Sequence, residues 1–154
     1  MDTRQPILAA RIHGNLMKKQ SKRAKYLEIR KLIRLADKTL SRPVRAYTKK
    51  EYGKCPFCKV KPIQVAFHFI SRRRYATRWI WKNLIGSCKT CNWWERFFPD
   101  RYRAWFLRKY SVLDYLALCD EAEKKIPLSA KELKYVITDS ERKLKELGGG
   151  LKNA

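Results

Sequence analysis

The sequence predicts an α+β chain in which a small, cysteine-stapled core lies between a basic N-terminal helix and a group of C-terminal helices. Three observations carry that expectation. Two Cys-x-x-Cys pairs flank a short strand-like run, residues 21–40 repeat apolar side chains at helical spacing, and capped helical patterns fill residues 99–147. At 154 residues the chain has room for one modest domain with an arm, not for two independent cores.

Residues 1–20 mix Gly14 and Asn15 with scattered basic residues and little apolar periodicity, and read as a flexible basic arm. From about Ser21 to Leu40, the residues Ile29, Leu32, Ile33, Ala36 and Leu40 fall on one helical face. Lys25, Arg30, Lys31, Arg34 and Lys38 surround them, so residues 21–54 form a basic helical region suited to lying along phosphates. Ser41-Arg42-Pro43 is expected to end that helix. The core spans 55–98, with Gln64 to Ile70 as a strand. Beyond it, Pro99-Asp100 starts a helix through Tyr110, Ser111 with Asp114 caps a second, and Ser129 with Glu132 forms the capping box of a third. Residues 99–147 are thus a helical packing region, and 148–154, opening with three glycines, a tail.

Charge narrows the partners. The chain carries 37 Lys and Arg against 14 Asp and Glu, a net charge of +23. A chain this basic is built to meet a polyanion, with nucleic acid first. The excess is uneven: residues 1–54 hold 16 basic and 4 acidic side chains, residues 55–110 hold 13 and 2, and residues 111–154 hold 8 and 8. The polyanion-facing surface is therefore expected in the first two thirds. No stretch approaches the roughly 20 apolar residues of a membrane span. No membrane partner is expected, and the expected location is a reducing cytoplasm, that of the host cell if the chain is phage-encoded.

Cys55-Pro-Phe-Cys58 and Cys88-Lys-Thr-Cys91 are two knuckles separated by 29 residues. Two residues between cysteines let both thiolates of a tight turn face one ion, and two such turns complete a tetrahedral four-sulfur site. Thiolates suit zinc better than magnesium or calcium; iron could take the same sulfurs, but the basic setting favours a structural zinc. Cys119, alone on a late helix, reads as a buried thiol.

Between the knuckles, His68 lies late in the strand, Asn83 follows mid-loop, and Asn92 stands directly after the second knuckle. That order resembles the zinc-containing branch of the HNH, or ββα-metal, nucleases. More narrowly, His68-Phe69-Ile70-Ser71-Arg72, Ala76-Thr77-Arg78-Trp79, Asn83 and Cys88-Lys-Thr-Cys91-Asn92 resemble the NinG/Rap family of phage recombination endonucleases. The likeness covers about residues 51–147 and is densest over 55–92.

The resemblance implies a ββα-metal core and a metal-dependent DNA endonuclease that nicks or resolves branched DNA, such as Holliday junctions and other recombination intermediates. It implies that His68 is the general base, a task neutral imidazole suits near pH 7. Asn92 would ligate a catalytic Mg2+ or Mn2+, and Asn83 would fix the loop through backbone hydrogen bonds. Two departures stand out. Phe67 occupies the position before the base, where many HNH nucleases carry a metal-binding Asp or His, leaving Gln64 and Glu95 as weak alternatives for a second ligand. Trp93-Trp94-Glu95-Arg96 replaces the Gly-Asn that often follows the second knuckle.

Arg72, Arg73, Arg74 and Arg78 follow the base and are expected to hold DNA phosphates. Trp79, Trp81, Trp93 and Trp94 are expected mainly to pack the small core, with the alternative that one of them wedges or stacks at a DNA branch point, where unstacked bases offer ring faces. Paired incisions at a junction would favour a homodimer. The competing reading is a non-catalytic, zinc-dependent DNA- or RNA-binding protein using the same basic surface.

Overall fold

The computed structural model describes the backbone of residues 4–148 and the side chains of residues 20–148. The protein is α+β and mostly helical, with a two-stranded antiparallel sheet and a cluster of four cysteines. A helix α1 (Arg4–Tyr52) leads to strand β1 (Val65–His68), strand β2 (Leu84–Ser87) and a short helix α2 (Lys89–Trp94). Helices α3 (Pro99–Lys109), α4 (Val112–Glu123) and α5 (Ala130–Glu146) complete the chain. None of the described helices is long and apolar enough to cross a membrane.

Helix α1 differs from expectation at both ends. It is helical from Arg4, through most of the stretch read as an arm, and it runs past Pro43 to Tyr52. Residues 1–3 of the arm and 149–154 of the tail lie outside the described residues. Pro43 removes one backbone donor and crowds the preceding turn, a cost of about 3 kcal/mol in a helix interior. Tertiary contacts outweigh it. Val44 is buried against Leu84 and Thr48 is fully buried. The Thr48 hydroxyl donates to the Val44 carbonyl at 2.8 Å and accepts from the Gly86 N–H at 2.8 Å. The helix stops instead at Gly53, whose φ of +68° favours a residue without Cβ.

The sheet is shorter than Gln64 to Ile70. Val65, Ala66, Phe67 and His68 pair with Ser87, Gly86, Ile85 and Leu84. Beyond His68 the partner strand gives way to Asn83, whose carbonyl accepts from the Phe69 N–H at 3.0 Å and whose side chain takes over from there. Alternation along the strands sorts the side chains onto two faces. Phe67 and Ile85 join Phe57, Tyr102 and the cysteines in one core. Ala66 and Leu84 join Leu40 and Val44 of α1 in another, flanked by Trp79 and Trp81. The second face needs a close approach: a Cβ on Gly86 would lie 2.7 Å from Ile63 Cγ2 and 2.9 Å from Thr48 Cβ.

The C-terminal helices follow their sequence signals. Ser111 with Asp114, and Ser129 with Glu132, form reciprocal capping boxes, each hydroxyl accepting from the N3 backbone N–H. Pro99 sits at the start of α3, where its missing donor costs nothing. Helix α5 packs along α1, which is how the neutral tail supports the basic helix.

Candidate metal centre and the His68 loop

The four knuckle cysteines converge, all sulfurs lying within 4.8 Å of one another. Cys58 Sγ and Cys88 Sγ are 3.9 Å apart. A tetrahedral zinc site with bonds of about 2.3 Å sets its sulfurs about 3.8 Å apart, so the cluster can hold a metal ion such as zinc. The first knuckle closes with Lys59 at φ 60°, its N–H donating to the Cys55 carbonyl at 2.7 Å. In the second, Cys88 is the N-cap of α2 and its sulfur accepts from the Cys91 N–H at 3.3 Å. Lys61 Nζ donates to Thr90 Oγ1 at 2.9 Å and Tyr102 Oη to the Cys91 carbonyl at 2.6 Å, tying the knuckles together and to α3.

The thiols do not ionise alike. Burial raises Cys55 and Cys91, and the neighbouring sulfurs raise Cys91 further. Burial would raise Cys58 too, but hydrogen bonds from the Lys61 and Val60 backbone bring it down to about 6. The Cys58 thiol is thus the readiest of these to lose its proton, and a bound dication would draw protons from Cys55 and Cys91 as well.

On the other face, His68 Nε2 lies 3.1 Å from the Arg78 carbonyl oxygen. A carbonyl only accepts, so Nε2 carries the proton, and the Nδ1 lone pair has no hydrogen-bond partner among the described residues. Burial lowers the His68 pKa to about 4, against the Arg78 hydrogen bond and the Asp37 charge, which raise it; the charges of Arg78 and Arg72 add to the lowering. The imidazole is neutral at pH 7.

The loop carrying that carbonyl is fixed from two sides. Asn83, fully buried, accepts from the Ile70 N–H at 2.7 Å and donates to the carbonyls of Ile70 at 3.1 Å and Thr77 at 2.9 Å. Asp37, from α1, accepts from Arg78 Nε at 2.9 Å, from Arg78 Nη2 at 2.5 Å and from Trp79 Nε1 at 3.0 Å. Arg78 also donates to the Arg72 carbonyl at 2.8 Å. Sequence reasoning missed Asp37 and Thr48. Asp37 is an acid in a helix of bases, and that oddity was its only signal.

The arginines divide accordingly. Arg78, expected on phosphates, has its charge paired with Asp37 and its side chain only 12% exposed. Arg74 is exposed and meets Glu123 at 3.2 Å. Arg72 and Arg73 stand in solvent. Beside them, Tyr26, Arg30, Arg34, Tyr75 and Arg78 line an open groove of about 830 Å³ between α1 and the loop.

A ligand set for a catalytic ion is not assembled in the same way. Phe67 is 2% exposed, stacks on Tyr102, and by strand alternation points away from the His68 side. Gln64 Oε1 accepts from the Lys89 N–H at 3.2 Å, and Glu95 is the C-cap of α2. Asn92 is exposed on α2, which lies against β1, and no hydrogen bond joins it to His68. Among the described residues, the four cysteines are the one group of three or more His, Cys, Asp or Glu placed to hold a metal. Cys119 is half-buried on α4. Trp79 and Trp81 pack beside α1, whereas Trp93 and Trp94 stand in solvent, contrary to expectation. Comparison with known proteins finds no matching family model, no matching curated sequence and no matching solved structure.

Proposed function

We propose that the protein is a DNA endonuclease of the HNH type, acting on branched DNA such as recombination intermediates, with structural zinc in the four-cysteine cluster. The observation that carries this reading is His68: a neutral imidazole with its Nε2 proton committed to a backbone carbonyl and its Nδ1 lone pair free. The strand–loop–strand–helix order from β1 to α2 supports it, as do the exposed Arg72 and Arg73 beside the base.

In this reading Nδ1 takes a proton from the attacking water, and the arginines hold flanking phosphates without reading sequence. A phosphate arriving beside His68 raises its proton affinity, since an anion favours the imidazolium, and so makes it a better base on substrate binding. Asn83 and Asp37 are positioning residues, holding the loop whose carbonyl orients the ring. The resemblance also implies a catalytic Mg2+ or Mn2+ that would stabilise the leaving oxygen. Asn92 alone does not complete a site for it. That incomplete ligand set favours the second reading, a non-catalytic zinc-dependent protein that binds nucleic acid through the same basic surface.

The test is incubation with duplex, flap and four-way-junction DNA in Mg2+, in Mn2+ and without added divalent ion, with His68→Ala alongside. Cleavage that needs the ion and falls at least about 100-fold in the variant is expected. Tight binding without cleavage selects the second reading, and equal cutting by the variant removes His68 from the chemistry.

A further inference from the structure

Four large aromatic rings stand in solvent within six residues of chain: Trp93, Trp94, Phe97 and Phe98 are 51%, 45%, 55% and 51% exposed. They are not spare core. The core that α2 joins through Cys91 is already filled by Phe57, Phe67 and Tyr102, which are buried and in mutual ring contact. The rings are also ordered. Positions four apart on a helical turn lie one above the other, so they form two rows. Trp93 meets Phe97 at 4.8 Å between centroids, and Trp94 stacks on Phe98 at 5.5 Å with planes 21° apart. Arg96 extends the surface, its guanidinium carbon 5.6 Å from the Trp93 centroid.

We infer that this surface on α2 and the turn after it is a stacking platform for the unpaired bases of single-stranded DNA. A flat ring face with a cation beside it matches what an unpaired nucleotide offers, a base face and a phosphate. Charge decides between occupants. A second copy would bring two chains of +23 together, whereas a polyanion is attracted. Duplex DNA keeps its base faces covered by stacking, so the platform discriminates for unpaired strands, at a branch, flap or end. The inference rests on the nucleic-acid reading above and names the feature of the substrate that the protein recognises, independent of whether it cuts.

The test is an anisotropy titration of labelled oligo(dT) and of a blunt duplex of equal length, with no added Mg2+ or Mn2+ and no chelator, across a salt series. The wild type, His68→Ala and a Trp93→Ala/Trp94→Ala double variant are compared. Each stacked base contributes about 5- to 150-fold in affinity. The double variant is therefore expected to weaken oligo(dT) binding by about tenfold or more, with duplex affinity within about twofold and the salt slope unchanged. A Phe97→Leu/Phe98→Leu variant, which keeps apolar bulk and removes ring faces, should show the same selectivity, and circular dichroism checks that both remain folded. Equal loss on the two DNAs, or no loss on oligo(dT), overturns the proposal. So does a wild-type dimer that the double variant dissolves, or ring-dependent binding to anionic vesicles without a change on oligo(dT). Because binding is read without added Mg2+ or Mn2+, a protein that never cleaves leaves this result intact, and one that cleaves through His68 without base stacking defeats this proposal alone.

Discussion

The two faces of the β1–β2 hairpin are held by different physics. On one, four sulfurs from two short turns converge within 4.8 Å and an aromatic core of Phe57, Phe67 and Tyr102 closes over them. On the other, His68 is held by a carbonyl, that carbonyl's residue by Asp37, and the strand backbone by Thr48, the last two from a helix far away in sequence. The first face is local and modular; its geometry follows from spacing within each turn. The second depends on α1 being docked, so its parts have their roles only together. The difference teaches that a sulfur cluster and a buried histidine on one small sheet can be disturbed independently.

The largest test of that independence is metal removal. Structural zinc in small sites contributes on the order of 10 kcal/mol, comparable to the whole stability of a domain. Chelation, or Cys88→Ser, is expected to release the two knuckle turns, α2 and α3 while the hairpin stays docked on α1, with loss of near-ultraviolet dichroism and a large fall in melting temperature. Far-ultraviolet dichroism should keep much of the α1–α5 signal. An unchanged melting curve after verified metal loss would mean that the aromatic core alone holds this face.

Acid probes the other face. Because burial depresses His68 to about 4 from an ordinary 6.5, the unfolded chain binds the proton more tightly than the folded one. The folded state therefore holds its full advantage above pH 6.5 and loses up to about 3 kcal/mol of it as pH falls through 4. Urea unfolding at pH 7 and pH 4.5 should show that loss in the wild type and less of it in His68→Gln. Equal slopes in both would place the acid sensitivity elsewhere.

The smallest effect is expected from Asp37→Asn, which keeps the shape but removes the charge facing Arg78. The pair is partly buried, so the cost should fall between exposed and buried pairs, at about 2 kcal/mol. Its signature would be larger on His68 than on overall stability. With the Arg78 carbonyl no longer held, the Nε2–H resonance of His68 should shift or exchange faster in NMR spectra, while metal content stays constant.

The positions of the helices were legible because their signals are short-range. Ser111, Ser129 and Pro99 act within one turn of themselves, and the Cys-x-x-Cys pairs within four residues. Asn83 was legible as a loop-fixing residue only through the family resemblance, since an asparagine in a turn has many uses. The course of α1 was not legible. Pro43 says stop by every local rule, and the contacts that overrule it, from Val44 and Thr48 to the hairpin, come from about 40 residues downstream. The fate of the arginines was equally hidden: four in one loop look alike in sequence, and only the position of Asp37 separates Arg78 from the rest.

By itself, then, the sequence determined the four-cysteine frame, the capped C-terminal helices and a net charge of +23. Each depends on spacing or composition alone. The tertiary structure decided the length of α1, the burial of Phe67, the pairing of Arg78 and the exposure of Trp93 and Trp94. These depend on which surfaces meet. Burial and pairing are properties of two segments at once, and neither segment carries the answer alone.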